Sequence, residues 1–319
     1  MPSVPRVSVV IPTYNRAHCV GEAIESVLNQ TFRDFEVIVV DDGSTDNTQE
    51  VLAAFGSRIR VIRQQNSGVS AARNAGIRAA RGNWVAFLDS DDIWEPDKLS
   101  VQMRDVAAHP EVVGHVVDAV ITDILGGELS LFKLRGLRED FQMRPLRSRP
   151  LCDVLRTQFF TQCWLVRKDL LEKLGGFDVA LSIHEDLNLM ARVAMEGPFY
   201  VNTFIGVKVR RKTAEALSNL HQTQRLYSLS SLVKTYTVLK QDRRLTPAER
   251  RIVGRYLGGV WCEIAEQYLT MRKWSLAARA LLRSVGDDFG VRALLRALVY
   301  GVGGAKWIHR LRSKKGGAL

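Results

Sequence analysis

The chain has 319 residues, 46% of them hydrophobic and 25% charged, with four cysteines and a formal net charge of +11. That is enough apolar chain to bury the core of one large domain or two smaller ones, and too much for a disordered protein. Cys19, Cys152, Cys163 and Cys262 lie far apart, with no CxxC pair and no histidine at zinc-ligand spacing. A disulfide scaffold is excluded, and buried free thiols in a reducing compartment are expected.

The predicted elements begin with VSVVI (7–11), a continuously apolar run that suits a strand covered on both faces. From Val20 to Gln30, apolar residues recur at 20, 23, 24, 27 and 28, which is helical spacing. FEVIVV (35–40) is a second strand, ending in DDGSTDNT. Thr48 to Phe55 reads as a helix, IRVI (59–62) as a third strand, and Ser70 to Arg81 as a helix closed by Gly82. WVAFL (84–88) is a fourth strand, ending in DSDD. Such alternation predicts an α/β fold, with a parallel sheet and right-handed crossovers. Ligands of such sheets sit outside the carboxyl ends of the strands, and here all but one of those ends are rich in polar residues.

Residues 126–150 read as weakly structured and basic, and a mixed segment runs on to Val207. From Ala214 the pattern is helical, with breaks at Pro247 and near Gly286. Glu263 to Val285 resembles a helix pair with the small residues Ala265, Ala277 and Ala278 between. The expected divisions are 1–125, 126–207 and a basic helical 208–319. That last part holds 23 Lys plus Arg against 7 Asp plus Glu, whereas residues 1–207 hold 22 against 27. Opposite balances in one chain point to different tasks.

The strongest chemical signal is Asp89 to Asp92. Three carboxylates in four residues repel one another and need a cation, and hard ions such as Mg²⁺ or Mn²⁺ share oxygen ligands with substrate phosphates. A helix N-cap needs only one acidic residue. Asp41 and Asp42, after the second strand, suit either a nucleobase or ribose contact or a turn. Tyr14 can stack on a planar base or sit half in the core. Arg73 can reach a diphosphate or be a solvated helix arginine. In His184-Glu185-Asp186, Asp186 suits a general base or a cap, and His184 is one histidine without a partner.

Together these strings resemble the family 2 inverting glycosyltransferases. PTYNR, DDGSTD and DSDD carry the likeness over residues 6–95, and GGFDVALSIHEDLNLMARVA carries it more loosely over 155–205. The resemblance implies a GT-A fold, a Rossmann-like mostly parallel sheet flanked by helices, with a nucleotide-sugar donor. It implies that Pro12 and Tyr14 line the nucleotide pocket, that Asp42 reads the base (uracil in a UDP-sugar), and that Arg73 approaches the donor phosphates. Asp89 and Asp91 would form the DXD motif, Asp91 as direct ligand of Mn²⁺ or Mg²⁺ and Asp89 towards ribose or donor sugar, with Asp92 in support. Asp186 would be the catalytic base, Glu185 its nearest rival. The GGFD loop would approach the donor sugar, and Trp164 either stacks on an acceptor sugar or packs in the core.

The implied acceptor is a glycan or lipid-linked glycan, the donor sugar a hexose or N-acetylhexosamine, and the setting bacterial cell-surface polysaccharide synthesis. The competing function is a catalytically inactive, membrane-associated glycan-binding or assembly protein. For the basic C-terminal part, a solvated helical face competes with attachment to an anionic membrane surface. Leu294, Leu295, Leu298 and Trp307 beside Arg292, Arg296 and Arg310 fit a helix lying on lipid. A nucleic-acid partner is not expected. MPSVPRVSVVIPTYNR lacks a signal-peptide pattern, and no stretch approaches the roughly 18 uncharged apolar residues of a membrane span. The expected location is cytoplasmic, free or peripheral on the cytoplasmic face of the membrane.

Overall fold

Seven consecutive buried residues, VSVVIPT, form the central strand β1 (Val7–Thr13) of the first of two units, into which the chain divides as Met1–Ala216 and Leu217–Leu319. The computed structural model describes residues 4–122, 127–210 and 225–286. After β1 come α1 (Val20–Leu28), β2 (Phe35–Asp41), α2 (Thr48–Ala53), β3 (Arg60–Arg63), α3 (Val69–Ala79) and β4 (Trp84–Phe87). The chain continues through β5 (Ile93–Trp94), α4 (Lys98–Ala108), β6 (Gly114–Thr122), β7 (Glu128–Ser130), α5 (Leu131–Leu134), α6 (Arg138–Met143) and β8 (Leu146–Arg147). The unit closes with α7 (Leu151–Thr157), β9 (Trp164–Arg167), α8 (Lys168–Lys173), α9 (Glu185–Ala194) and β10 (Phe199–Arg210).

Among the described residues all ten strands join one mixed sheet in the order β3-β2-β1-β4-β9-β6-β10-β5, with β7 beside β6 and β8 beside β10. β1 to β4 are mutually parallel, as the alternation predicts, and β6 and β10 are parallel to each other. β9 enters between β4 and β6 and is antiparallel to both. The apolar face of α1, with Val20, Ala23, Ile24 and Val27, is buried. Helix α3 lies against β1 and β2, and α4 against β6 and β10. At Gly76 a Cβ would collide with the Val10 side chain, so the missing side chain lets α3 seat directly on the central strand.

Pro12 does not end β1. It sits inside the strand, opposite Val40. Pairing with β4 stops at Val10–Phe87, and Val10 points its carbonyl towards β4. By alternation Pro12 faces the same side beyond the last pair, where its missing N–H costs no ladder bond. The segment expected to be weakly structured holds β7, α5, α6 and β8 around the fully buried Asp118. That carboxylate accepts from the Phe132 backbone N–H at 3.0 Å, Arg138 Nη1 at 2.8 Å and Ser130 Oγ.

The second unit holds α10 (Arg225–Gln241), α11 (Pro247–Thr270) and α12 (Trp274–Gly286). Pro247 breaks the helical run by starting α11, behind a capping box in which Thr246 and Glu249 exchange hydrogen bonds. Of the small residues expected between the helices, Ala265 and Ala277 are buried, whereas Ala278 is exposed and Ala280 takes the inner position. Among the described residues no helix is long and apolar enough to cross a membrane. The segment bearing Leu294, Leu295, Leu298 and Trp307 lies outside the described residues.

Candidate functional site

The loops after β1 and β2 are stitched together. Asn15, at φ 51°, donates its N–H to Ser44 Oγ at 2.9 Å, and its side-chain oxygen accepts from the Thr45 N–H at 2.8 Å. Gly43, at φ 83°, has no room for a Cβ against the Asn66 backbone. Asp41 is buried and closes the turn by accepting the Ser44 N–H at 2.9 Å. Asp42 accepts from Gln64 Nε2 at 2.7 Å, the Ser67 N–H at 2.9 Å and the Gly68 N–H at 2.8 Å. Tyr14 stands beside these loops with 44% of its surface exposed, so its ring is not a core residue.

The Asp89–Asp92 turn follows β4 and does not cap a helix, since α4 starts only at Lys98 with Asp97 at its N-cap. Asp92 is buried. It accepts the Arg210 N–H at 2.9 Å and an amide proton of Gln162. Burial, then Asp89 and Asp91, hold its carboxyl well above the usual range. Arg210 also donates Nε to the Asp91 carbonyl at 3.0 Å and pairs with Glu22. Asp91 itself is partly exposed. Burial and Asp89 raise its pKa, against the lowering influence of Arg16 and Arg210.

Arg73 is not a solvated arginine. It is 4% exposed, donates Nη2 to Asp89 at 2.7 Å and Nη1 to Glu185 at 2.8 Å, and places its guanidinium carbon 5.2 Å from the Phe177 ring centroid. Burial works to lower its pKa, but Asp89 and Glu185 outweigh it and keep the charge firmly in place. The bridge brings the β4 turn and the first turn of α9 together. His184 precedes α9 in a left-handed conformation, at φ 63°. Asp186, in the first turn, accepts the Leu187 N–H at 2.7 Å. Burial first, and the Glu185 carboxylate second, push Asp186 up to about 7, with Asp89 close enough to add to the rise.

Thus Asp89, Arg73, Glu185 and Asp186 form one continuous cluster, while Tyr14 and Asp42 belong to the adjoining loops. The GGFD loop is tied to α3, where the Asn74 side chain makes paired 2.8 Å bonds with the Phe177 backbone. Trp164 is fully buried and lies parallel to the Phe177 ring at 6.3 Å, which settles it as core. Sequence reasoning missed Gln162 and Arg210, whose polar types in uninformative stretches carry no pattern. It also expected four buried thiols, and only Cys19 and Cys163 are buried, though all four stand outside any disulfide. Among the described residues no three or more His, Cys, Asp or Glu converge as a metal cage.

The profile of glycosyl transferase family 2 matches residues 8–175. An uncharacterized glycosyltransferase of Rickettsia felis is 45% identical over 112 residues, 34% of this chain and 19% of the relative, so the match spans about a fifth of that protein. Two solved structures share the fold over most of the chain. S. aureus TarS 1-349 in complex with UDP-GlcNAc has a TM-score of 0.61 at 18% identity, covering 92% of this chain and 81% of that one. The mannosyltransferase PcManGT from Pyrobaculum calidifontis, in complex with GDP-Man and Mn²⁺, has a TM-score of 0.57 at 22% identity, covering 95% and 81%.

Proposed function

This chain belongs to glycosyl transferase family 2 and has the GT-A fold, and from that premise we propose that it is an inverting glycosyltransferase. It moves a hexosyl or N-acetylhexosaminyl group from a nucleoside-diphosphate sugar, a UDP-sugar foremost, to a hydroxyl of a glycan or lipid-linked glycan. Bacterial cell-surface polysaccharide synthesis is the setting that suits such an acceptor. The observation that carries this is the Arg73 bridge, which joins the β4 aspartate turn to the acid pair at the start of α9. UDP-GlcNAc in TarS and GDP-Man in PcManGT support a nucleotide-sugar donor.

In this reading Tyr14 stacks on the base, with Pro12 of β1 lining the same pocket. Asp42 offers its remaining acceptor capacity to the base N–H. Asp91 and Asp89 fit a divalent cation, because both are accessible carboxylates on one turn and Asp91 carries charge that burial makes costly. Asp91 and Asp89 would hold the cation from the protein side and leave room for oxygen ligands from the donor, and Mn²⁺ in PcManGT supports an ion of this kind. When bound, Mn²⁺ or Mg²⁺ offsets charge on the departing diphosphate.

The chain's own residues do the proton chemistry. Asp186 Oδ takes the proton from the acceptor hydroxyl as that oxygen bonds to the anomeric carbon. The bond from that carbon to the diphosphate oxygen breaks, and its electron pair leaves with the nucleoside diphosphate. One displacement inverts the centre. Glu185 is engaged by Arg73, whereas Asp186 is partly exposed and titrates near neutrality, which favours Asp186 as the base. Arg73 thus acts on the carboxylates that frame the donor rather than on the phosphates alone. Its engagement also speaks against an inactive relative, since an idle site has no need of so many opposed charges.

The test is thermal melting with UDP, dTDP, GDP, CDP and ADP, each with and without Mn²⁺. At about 100 times its dissociation constant, a ligand adds ~2.7 kcal/mol. A metal-dependent shift from one diphosphate names the donor class, and the anomeric configuration of the transfer product, read by NMR, checks inversion. No shift from any nucleotide sinks the proposal.

A further inference from the structure

Helix α12 shows two unlike faces. Its inner side is small, with Ala277, Ala280 and Ser284 buried, and packs against α11. Its outer side is apolar and exposed: Trp274 is 59% exposed and Leu282 72%, and Ala278 and Val285 complete the row. Positions 274, 278, 282 and 285 fall on one stripe of a 3.6-residue helix. That is the reverse of a surface helix built only to pack on its own domain. Arg279 and Arg283, one turn apart, form a second stripe of α12, Arg272 and Lys273 just precede the helix, and the Arg283 guanidinium carbon lies 4.7 Å from the Trp261 ring centroid. From Met271 to Gly286 the chain has four cations and no acidic residue, and residues 225–286 hold 12 Lys plus Arg against 4 Asp plus Glu.

We propose that the outer face of α12 docks on an anionic lipid surface. Stable protein complexes engage about 20–30 residues a side, far more than a stripe of four on one convex helix. A bilayer interface asks for less. An apolar stripe enters the headgroup region, a tryptophan sits at its level, and flanking cations meet anionic headgroups. The charge of α12 and its neighbours matches such a surface and opposes a basic partner. This face lies on a different unit from the carboxylate cluster.

The test is cosedimentation of the full chain with phosphatidylcholine vesicles, with and without phosphatidylglycerol, at low and high salt. Binding is expected only with phosphatidylglycerol, and weaker at high salt. Leu282→Gln lowers vesicle affinity about tenfold, the loss of one large apolar group from the interface, and Arg279→Gln weakens it further. Both positions are exposed, so the melting temperature and the nucleotide-induced shift of the variants stay at the parent values. Absence of binding to phosphatidylglycerol vesicles overturns the proposal, as does binding indifferent to Leu282→Gln and Trp274→Gln. Concentration-dependent dimerisation abolished by Leu282→Gln overturns it too, assigning the face to a second copy of the chain.

Discussion

Arg73 Nη1 donates to Glu185 Oε1 at 2.8 Å across 112 residues of sequence. Both groups are largely buried, and the other guanidinium arm holds Asp89. The β4 turn and the α9 turn are therefore fixed to each other by one side chain. Its removal leaves two carboxylates facing each other without a cation.

Arg73→Ala is accordingly expected to destabilise the first unit by about 3 kcal/mol, the low end of the cost of breaking a buried ion pair, because Asp89 keeps contact with water. Urea unfolding followed by tryptophan fluorescence measures it. Arg73→Lys retains a charge but cannot span both carboxylates in a fork, so it recovers only part of that loss. Full recovery by lysine would show that charge alone, and not the two-armed geometry, joins the turns.

Asp186→Asn is expected to lower transfer by about 10² to 10⁴-fold while the nucleotide-induced melting shift persists. Loss of that shift as well would speak against a base and for a binding role. In the parent enzyme the acid limb of the rate profile falls near pH 7, because the base works only when ionised and its folded pKa is about 7. The stability consequence has the opposite sense. A carboxyl whose folded pKa is raised binds protons more tightly folded than unfolded, so its contribution declines as pH rises from about 4 to about 7. Asp186→Asn removes that decline, and its melting temperature exceeds the parent's at pH 8 but not at pH 4.

Much of this was legible in the sequence, and the limits have physical causes. Continuous apolar runs separated by helical spacing identify β1 to β4 because both faces of those strands are covered. Asp89 to Asp92 and Glu185-Asp186 stand out because clustered charge is costly without a purpose. WLVR of β9 is too short for period to separate strand from buried helix, and its antiparallel entry depends on strands far away in the chain. Arg73 stands out as a candidate phosphate contact, but its bridge to Asp89 and Glu185 is not legible, since those partners lie in other elements. Gln162 and Arg210 were invisible for the same reason: each acts on Asp92 through tertiary contact alone. Trp164 left a choice that only its buried stack on Phe177 resolves.

Metal binding is expected to depend on nucleotide. Two carboxylates on one turn are a poor cage, so Mn²⁺ without nucleotide gives little melting shift, and Mn²⁺ with the matching diphosphate gives a large one. Asp91→Asn removes the joint effect and leaves the fold intact, because its side chain is partly exposed. Isothermal titration with the nucleotide absent and present reads this directly. Tight Mn²⁺ binding to the nucleotide-free chain would place the metal in a different set of ligands.

Lys98 provides a pH probe away from the site. It is fully buried, donates Nζ to Gln102 Oε1 at 2.8 Å, and lies 3.8 Å from the Trp94 ring centroid. Burial pushes its pKa down to about 7, far below the unfolded value. From about pH 7 to pH 10 the unfolded chain keeps this proton while the folded chain does not, so stability gains up to about 1.4 kcal/mol per pH unit from this group. Lys98→Met removes that slope. It also strands Gln102 Oε1, which costs about 1–3 kcal/mol and offsets part of the gain from losing a buried amine. Urea unfolding of both proteins at pH 7 and pH 9 separates the two contributions: the parent gains more than the variant between the two pH values. Parallel changes would mean that the Lys98 amine keeps its ordinary basicity despite its burial.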